Sequence, residues 1–460
     1  MLNSFISISN ENINQYGDIM PLTKILDKLV QIGPGYLDQT LRTYIVENRE
    51  YKFYTDLVSN KSYAVIAYPT TGALILNQTS NTDILIVGGG GGSSIGNLSG
   101  GSGGGSVISI ENAKLPEGHY ICTVGAGGAG AVQDYSANGV VNSPASSHLG
   151  GIGNDSSFGP IGGSTSGVSP WNDPTAAYPE VPLVYALGGG SGGYRTADTL
   201  SASGGNGGGA GGADRDSGGS QVNHADSDFW KGAASTQHSG IPSLAGTFMG
   251  GALTVYSNRG GNSNPWDEDP SFSPGGTYET YYSGGGGGAG TIGGPGTEKK
   301  AGDGGDGITI PWVNNVFQEV YKYNGDIYWG GGGGGSSSAD EEPGDGGLGG
   351  GGGGASYRAA AGFDTKNKRY FNGKGGKNGY AFGYSADRLF GGAGGVNTGG
   401  GAGGSTRIAF GTNGFNDSFI DHNLYPAIQG RNGGSGFVLV RIELADVFGP
   451  YAASLFGITS

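Results

Sequence analysis

The sequence predicts an all-β protein in which short strands flank a bundle of polyglycine-II-type helices, giving a glycine-rich sandwich behind a small N-terminal segment with one α-helix. Three observations carry this. Glycine supplies 103 of 460 residues, about three times the usual share, with no strict Gly-X-Y period. Hydrophobic residues still make up 35% and aromatics 10%, including 25 Tyr and 17 Phe, and they gather into runs, which disordered low-complexity chains lack. All but four of the glycines (Gly17, Gly33, Gly35 and Gly72) follow Val87, so the chain has two compositional parts.

In the first part, Leu22, Ile25, Leu26, Leu29 and Val30 recur on one face of a 3.6-residue period, predicting a helix over 21–32. Asp18 can cap it, Pro21 fits its first turn, and Gly33-Pro34-Gly35 stops it. A stripe this short cannot bury itself, so it packs on the domain or on another chain. Residues 1–60 are therefore read as an attachment or oligomerisation segment, 61–443 as the glycine-rich domain and 444–460 as a tail.

Strands come next: Thr43–Val46, Tyr63–Tyr68, Ala73–Leu76 and Asp83–Val87, with Pro69-Thr-Thr-Gly72 reading as a hairpin turn. Beyond Val87, short strands at Val107–Ile110, Tyr120–Val124, Leu183–Leu187, Ile308–Ile310, Ile327–Trp329 and Phe437–Ile442 alternate with tracts such as Gly88–Gly92, Gly284–Gly288, Gly330–Gly335 and Gly349–Gly354. An extended threefold glycine helix has no internal hydrogen bonds. Laid side by side with no Cβ between them, such helices can exchange N–H···O=C bonds and satisfy what one tract cannot.

Composition also narrows function. A net charge of -14 with only 24 Lys plus Arg argues against nucleic acid, which needs a basic stripe, and against docking on anionic membranes. No run of 18 apolar residues predicts membrane insertion, and MLNSFISISNENINQ lacks the basic and apolar regions of a secretion signal. Cys122, alone of its kind, reads as a small core hydrophobe.

No motif carries chemistry. GxGxxG recurs by chance at this glycine density, and none opens a βα unit. Gly373-Lys374-Gly375-Gly376-Lys377-Asn378 only approaches a phosphate loop. His119, His148, His224, His238 and His422 show no zinc spacing, and His224 with Asp226 and Asp228 reads as a polar loop. No GxSxG elbow is present. Carboxylates at Asp267–Asp269, Asp340–Glu342, Asp345, Asp303 and Asp306 read as solvated turns. Around Asp306, a single imperfect copy of a calcium-binding nonapeptide leaves calcium as the one weak cofactor candidate. The expectation is a non-enzymatic protein.

The inserts 160–182, 213–248 and 262–282 are more suggestive. Trp171, Tyr178, Trp230, Trp266, Tyr278, Tyr281 and Tyr282 stand there among Ser, Asn and Asp, the composition of rigid recognition loops. Packing against the glycine bundle is the other reading. Sequons begin at Asn60, Asn77, Asn97, Asn154 and Asn416.

The blocks Tyr63-Ala-Val-Ile-Ala-Tyr, Thr71-Gly72-Ala-Leu-Ile-Leu, Asp83-Ile-Leu-Ile-Val followed by five Gly, Thr123-Val-Gly-Ala-Gly-Gly-Ala-Gly130, Asn154-Asp-Ser-Ser-Phe-Gly159 and Gly433-Gly-Ser-Gly-Phe-Val-Leu-Val-Arg-Ile442 occur in this order. Together they resemble the glycine-rich domain of phage tail-fibre and receptor-binding proteins, large DNA virus proteins and some protist surface proteins. The chain is also similar to the polyglycine-sandwich adhesins of T-even-type phages, though longer. The resemblance implies a protein of the virion surface, a fibre or a capsid decoration, with exposed recognition loops. Two other readings are a host-receptor or glycan-binding adhesin and a cellular extracellular-matrix or surface fibre. Expected partners are other virion proteins through the N-terminal segment, further copies of the chain in a homo-oligomer such as a trimer, and a host-surface glycan or protein. Ice binding is a remote alternative, because the strict three-residue glycine period it would need is not sustained.

Overall fold

The structure is a computed structural model that describes residues 42–46, 49–56, 61–76, 78–96, 99–134, 149–160, 183–193, 247–263, 283–297, 300–314, 316, 326–338, 342–357, 373–377, 383, 385, 390–406 and 427–444. The predicted helix over 21–32 lies outside them.

Two sheets face each other. The larger has eight strands in the order β1 (Arg42–Val46), β2 (Arg49–Asp56), β3 (Lys61–Tyr68), β20 (Phe437–Leu444), β5 (Ser80–Val87), β7 (Val107–Leu115), β13 (Gly251–Tyr256) and β12 (Thr247–Phe248). The smaller has four, β11 (Val184–Ala186), β10 (Ser156–Pro160), β8 (Gly118–Thr123) and β4 (Gly72–Leu76). Among the described residues all pairings within both are antiparallel.

Alternate side chains of the large sheet enter two separate cores, as a period of two requires. Ile66, Ile84, Ile86, Ile108, Val438 and Val440 meet Leu74, Tyr120, Phe158 and Val184 of the small sheet, and Tyr120 stacks on Phe158 at 5.4 Å. On the other face Val65, Leu85, Val87 and Leu439 pack against a single helical turn, α1 (Pro311–Asn314), and the short hairpin β14 (Ile308–Thr309) with β15 (Tyr328–Trp329). Burial on both faces explains why the central strands read as unbroken apolar runs. Pro311 opens α1 where its missing N–H costs nothing.

The expected hairpin at Pro69–Gly72 is corrected. β3 already pairs with β2 and β20, while β4 pairs with β8 in the facing sheet. The turn is thus a corner between sheets, a distinction that turn composition does not encode. Cys122 is fully buried in the first core.

The glycine bundle adjoins the sandwich end-on, and its tracts are collinear with the strands. In the sheet Val87 faces both Val107 and Phe437. Beyond it, Gly88 donates to Ser106 O and Gly91 to Gly103 O, while Gly90 donates to Gly434 O and Ser93 to Arg431 O. Both registers continue unbroken from strand into tract. The small sheet does the same: Ser157 faces Thr123, then Asn154 donates to Ala126 O and Gly151 to Ala129 O.

Candidate functional site

Threefold geometry follows from the hydrogen bonds of tract 88–93. Gly88 and Gly91 donate to tract 99–106, Gly89 and Gly92 to tract 149–154, and Gly90 and Ser93 to tract 430–436. The tract accepts in turn from Gly189, from Gly128 and Ala131, and from Ala402. Donors that return to one neighbour every third residue, with tracts on six sides, define hexagonally packed threefold helices. Tract 330–336 repeats the pattern, donating to tracts 99–106, 349–354 and 302–307 and accepting from 284–290, 344–348 and 399–404. Hence glycine: a Cβ at Gly90 would stand 2.1 Å from Gly400 O, and one at Gly304 1.9 Å from Gly332 O.

The two ends of the bundle differ. At the sandwich end tracts reverse in short turns, and Gly349 and Gly350, both at φ +90, take a conformation that side-chain-bearing residues rarely adopt. At the outer end buried serines terminate the tracts. Ser405 Oγ lies 2.8 Å from Ser93 Oγ and accepts from Gly391 N–H at 2.9 Å, and Ser99 N–H donates to Ser336 Oγ at 2.7 Å. They serve as caps do at helix ends. Short pairs lie beside them: β6 (Ile95–Gly96) with β18 (Ser405–Thr406), β16 (Ser337–Ser338) with β17 (Ser356–Tyr357), and β9 (Val132–Asp134) with β19 (Ala427–Gln429).

A family model described as a glycine-rich domain matches residues 69–312, more than half of the chain. The chain belongs to this glycine-rich domain family. No curated protein matches it. In this glycine-rich domain the unmatched C-terminal part completes the fold, since β20 fills the gap between β3 and β5 and tracts 330–336, 349–354 and 399–404 complete the bundle.

All seven aromatic candidates, Trp171, Tyr178, Trp230, Trp266, Tyr278, Tyr281 and Tyr282, lie outside the described residues; the points where their inserts join the glycine-rich domain are described. The insert with Trp266, Tyr278, Tyr281 and Tyr282 departs after Ser263 and returns at Ser283. Gly296 donates to Asn262 O and Gly101 to Gly284 O, which places both junctions at the outer end. The segments 135–148, 358–372 and 407–426 are also joined there, next to Asp134, Tyr357 and Thr406. The insert with Trp230 leaves the same end at Gly193, whose carbonyl accepts from Gly100, and rejoins at β12. Trp171 and Tyr178 belong to an insert joined at Pro160 and Leu183, at the opposite end of the sandwich.

Three of the acidic candidates have a structural use that spacing did not reveal, while Asp267–Asp269, Asp340 and Glu341 lie outside the described residues. Asp303 Oδ1 accepts Asp345 N–H at 2.7 Å, Asp306 Oδ1 accepts Leu348 N–H at 2.8 Å, and Asp345 Oδ1 accepts Lys374 N–H at 2.7 Å. Each carboxylate stands in for the carbonyl of a missing outer tract. Lys300 Nζ sits 2.7 Å from Asp303 and 3.6 Å from Asp345. Burial lowers its affinity for a proton, but the two carboxylates more than offset this and raise its pKa above 10.5. Among the described residues no three His, Cys, Asp or Glu side chains converge as metal ligands. In the segment resembling a phosphate loop, Gly373 and Gly376 N–H donate to Gly354 O and Gly351 O, so those donors are committed to the bundle.

Proposed function

We propose that this glycine-rich domain is a non-enzymatic surface scaffold of a virus particle, a fibre or capsid decoration that holds recognition loops at one end of a rigid bundle. The observation that carries the reading is that the segments 135–148, 264–282, 358–372 and 407–426 each have both junctions at the serine-capped outer end, with short turns at the sandwich end. Loops held by a rigid frame are where proteins place recognition. The resemblance to phage fibre and large-virus proteins supplies the viral setting, and the N-terminal segment 1–60, through the apolar stripe predicted over 21–32, is proposed to join other virion proteins. Immunogold labelling of purified particles with antibody to 264–282 is expected to decorate their surface. Unlabelled particles, beside a positive control for a known surface protein, would reject the assignment.

A second reading, recognition of a host glycan or surface protein, is favoured by one insert: Trp266, Tyr278, Tyr281 and Tyr282 all fall between two junctions at the outer end. Alanine at these four positions in the full chain is expected to abolish binding to host cells or a glycan array. Equal binding by the variant and the native chain would remove these residues from any receptor site.

A further inference from the structure

A tract at the edge of a hexagonal lattice aims N–H and C=O groups at neighbours that are absent, and such groups demand partners. At several places on this perimeter side chains supply them, as Asp303, Asp306 and Asp345 do above and as Asp155 does by accepting Gly188 N–H at 2.8 Å. Tract 124–131 joins open donors to exposed apolar side chains. It donates to tract 88–93 from Gly128 and Ala131, and accepts from tracts 149–154 and 430–436. On its remaining sides Gly130 N–H reaches Asn432 Oδ1 at 2.9 Å, but the N–H groups of Ala126, Gly127 and Ala129 meet no acceptor among the described residues. Ala126 and Ala129 are exposed, and beside them Val132 and Ile152 are 42% and 51% exposed.

We infer that this face is a self-association surface, on which a second copy of the chain lays an extended threefold segment into the next lattice position. The free donors of Ala126 and Ala129 recur every three residues, about 9 Å apart at the rise of a threefold extended helix. A backbone with the same repeat can accept from both, and this chain presents such backbone in every tract. Alanine does not block the approach: Ala355 and Ala402 are fully buried inside the bundle and still donate to Gly404 O and Gly91 O. Charge permits a copy as the occupant at this face. At a net charge of -14 copies repel through most of their surface, whereas this face is built of the uncharged Ala126, Ala129, Val132 and Ile152. The inference does not depend on the viral reading.

Analytical ultracentrifugation of the full chain tests it. The native protein is expected to sediment as a dimer or larger at the top of a range from about 1 to 100 μM and to dissociate on dilution. Ala129→Glu and Ile152→Asp, each with native circular dichroism, should each raise the dissociation midpoint at least about tenfold, the equivalent of about 1.4 kcal/mol. Ile292→Asp, at a side chain 52% exposed on another tract, should leave it unchanged. A native chain monomeric throughout that range overturns the inference, as does an unshifted midpoint in both face variants. Should those variants fail to fold, amide exchange on the native chain decides: protection of Ala126 and Ala129 that rises with concentration supports it, and protection independent of concentration refutes it.

Discussion

Arg441 donates from Nε to Asp83 Oδ2 at 2.7 Å, joining adjacent strands β20 and β5 beneath two aromatic roofs. Its guanidinium lies 4.5 Å from the Tyr63 ring and 4.9 Å from Trp312. Asp83 sits at a register shift between β5 and β7, and its Oδ1 accepts the N–H of Asn112, a residue at φ +59. Both side chains are largely buried, 13% and 7% exposed. Removing the acid alone takes this partner from a largely buried guanidinium, so Asp83→Ala should cost about 3–5 kcal/mol by guanidinium denaturation. The pair Asp83→Leu with Arg441→Met should recover most of that loss. A loss below about 1 kcal/mol for Asp83→Ala would show the pair to be solvated.

Glycine is required in the bundle for space, and at the β12–β13 turn for conformation. Gly90→Ala forces a Cβ to 2.1 Å from Gly400 O, and backbone cannot rotate away as a side chain can. The expected loss is at least about 3 kcal/mol, the upper end of overpacking penalties. Gly250, at φ +80, has no atom within 4 Å of the place an added methyl group would take, so Gly250→Ala should cost only the left-handed strain, about 1–2 kcal/mol. Denaturation midpoints of the two variants check the order.

Serine caps should act locally. Ser405→Ala removes the acceptor of Gly391 N–H and one of the two partners of Ser93 Oγ, the other being Ser94 O, all within the buried end of the bundle. The expected destabilisation is about 1–3 kcal/mol, with amide exchange accelerated at the outer end before the sandwich. Uniform acceleration through β5 and β20 would contradict a capping role.

The Lys300 cluster gives a pH dependence with a defined sign. Because the folded state raises the Lys300 pKa above 10.5, its contribution is complete below that value and is lost as the pH climbs through the raised one. Its partners are half exposed, so the contribution is at most about 1 kcal/mol. The difference in melting temperature between native chain and Lys300→Met should therefore hold steady to about pH 10 and shrink above it. A difference that grows with pH would contradict the pairing.

Much of the sandwich is legible in the sequence because β-branched runs such as Asp83–Val87 and Phe437–Ile442 carry their own signal. β2 and β13 escape that reading: Arg49-Glu-Tyr-Lys-Phe-Tyr-Thr-Asp and Gly251-Ala-Leu-Thr-Val-Tyr mix charged, small and polar residues that only pairing makes into strands. Glycine content announces a bundle but not which tract lies beside which, since a tract without side chains encodes no address. The polar residues that finish its edge, Asp155, Asp303, Asp306, Asp345 and Asn432, look like ordinary turn residues until the outward positions are known. Trp312 and Trp329, left out of the aromatic candidates, turn out to be core, with Trp329 stacked on Phe437 at 5.1 Å.

The unbroken register from Val87 into Gly88–Ser93 bears on how the molecule folds. A threefold tract slipped by three residues regains equivalent backbone bonds with every neighbour, so in its glycine stretches the bundle has nearly degenerate misaligned states, as glycine-rich strands do. Strand pairs such as Val87 with Val107 and Phe437 lift that degeneracy, because a slipped β5 would carry Ile84 and Ile86 away from their places in the core. The sheets must then assemble before the tracts lock. Such long-range pairings form slowly, so weakening β20 should produce chains trapped one helical turn out of step, with the glycine content intact and the loops at the far end displaced by about 9 Å.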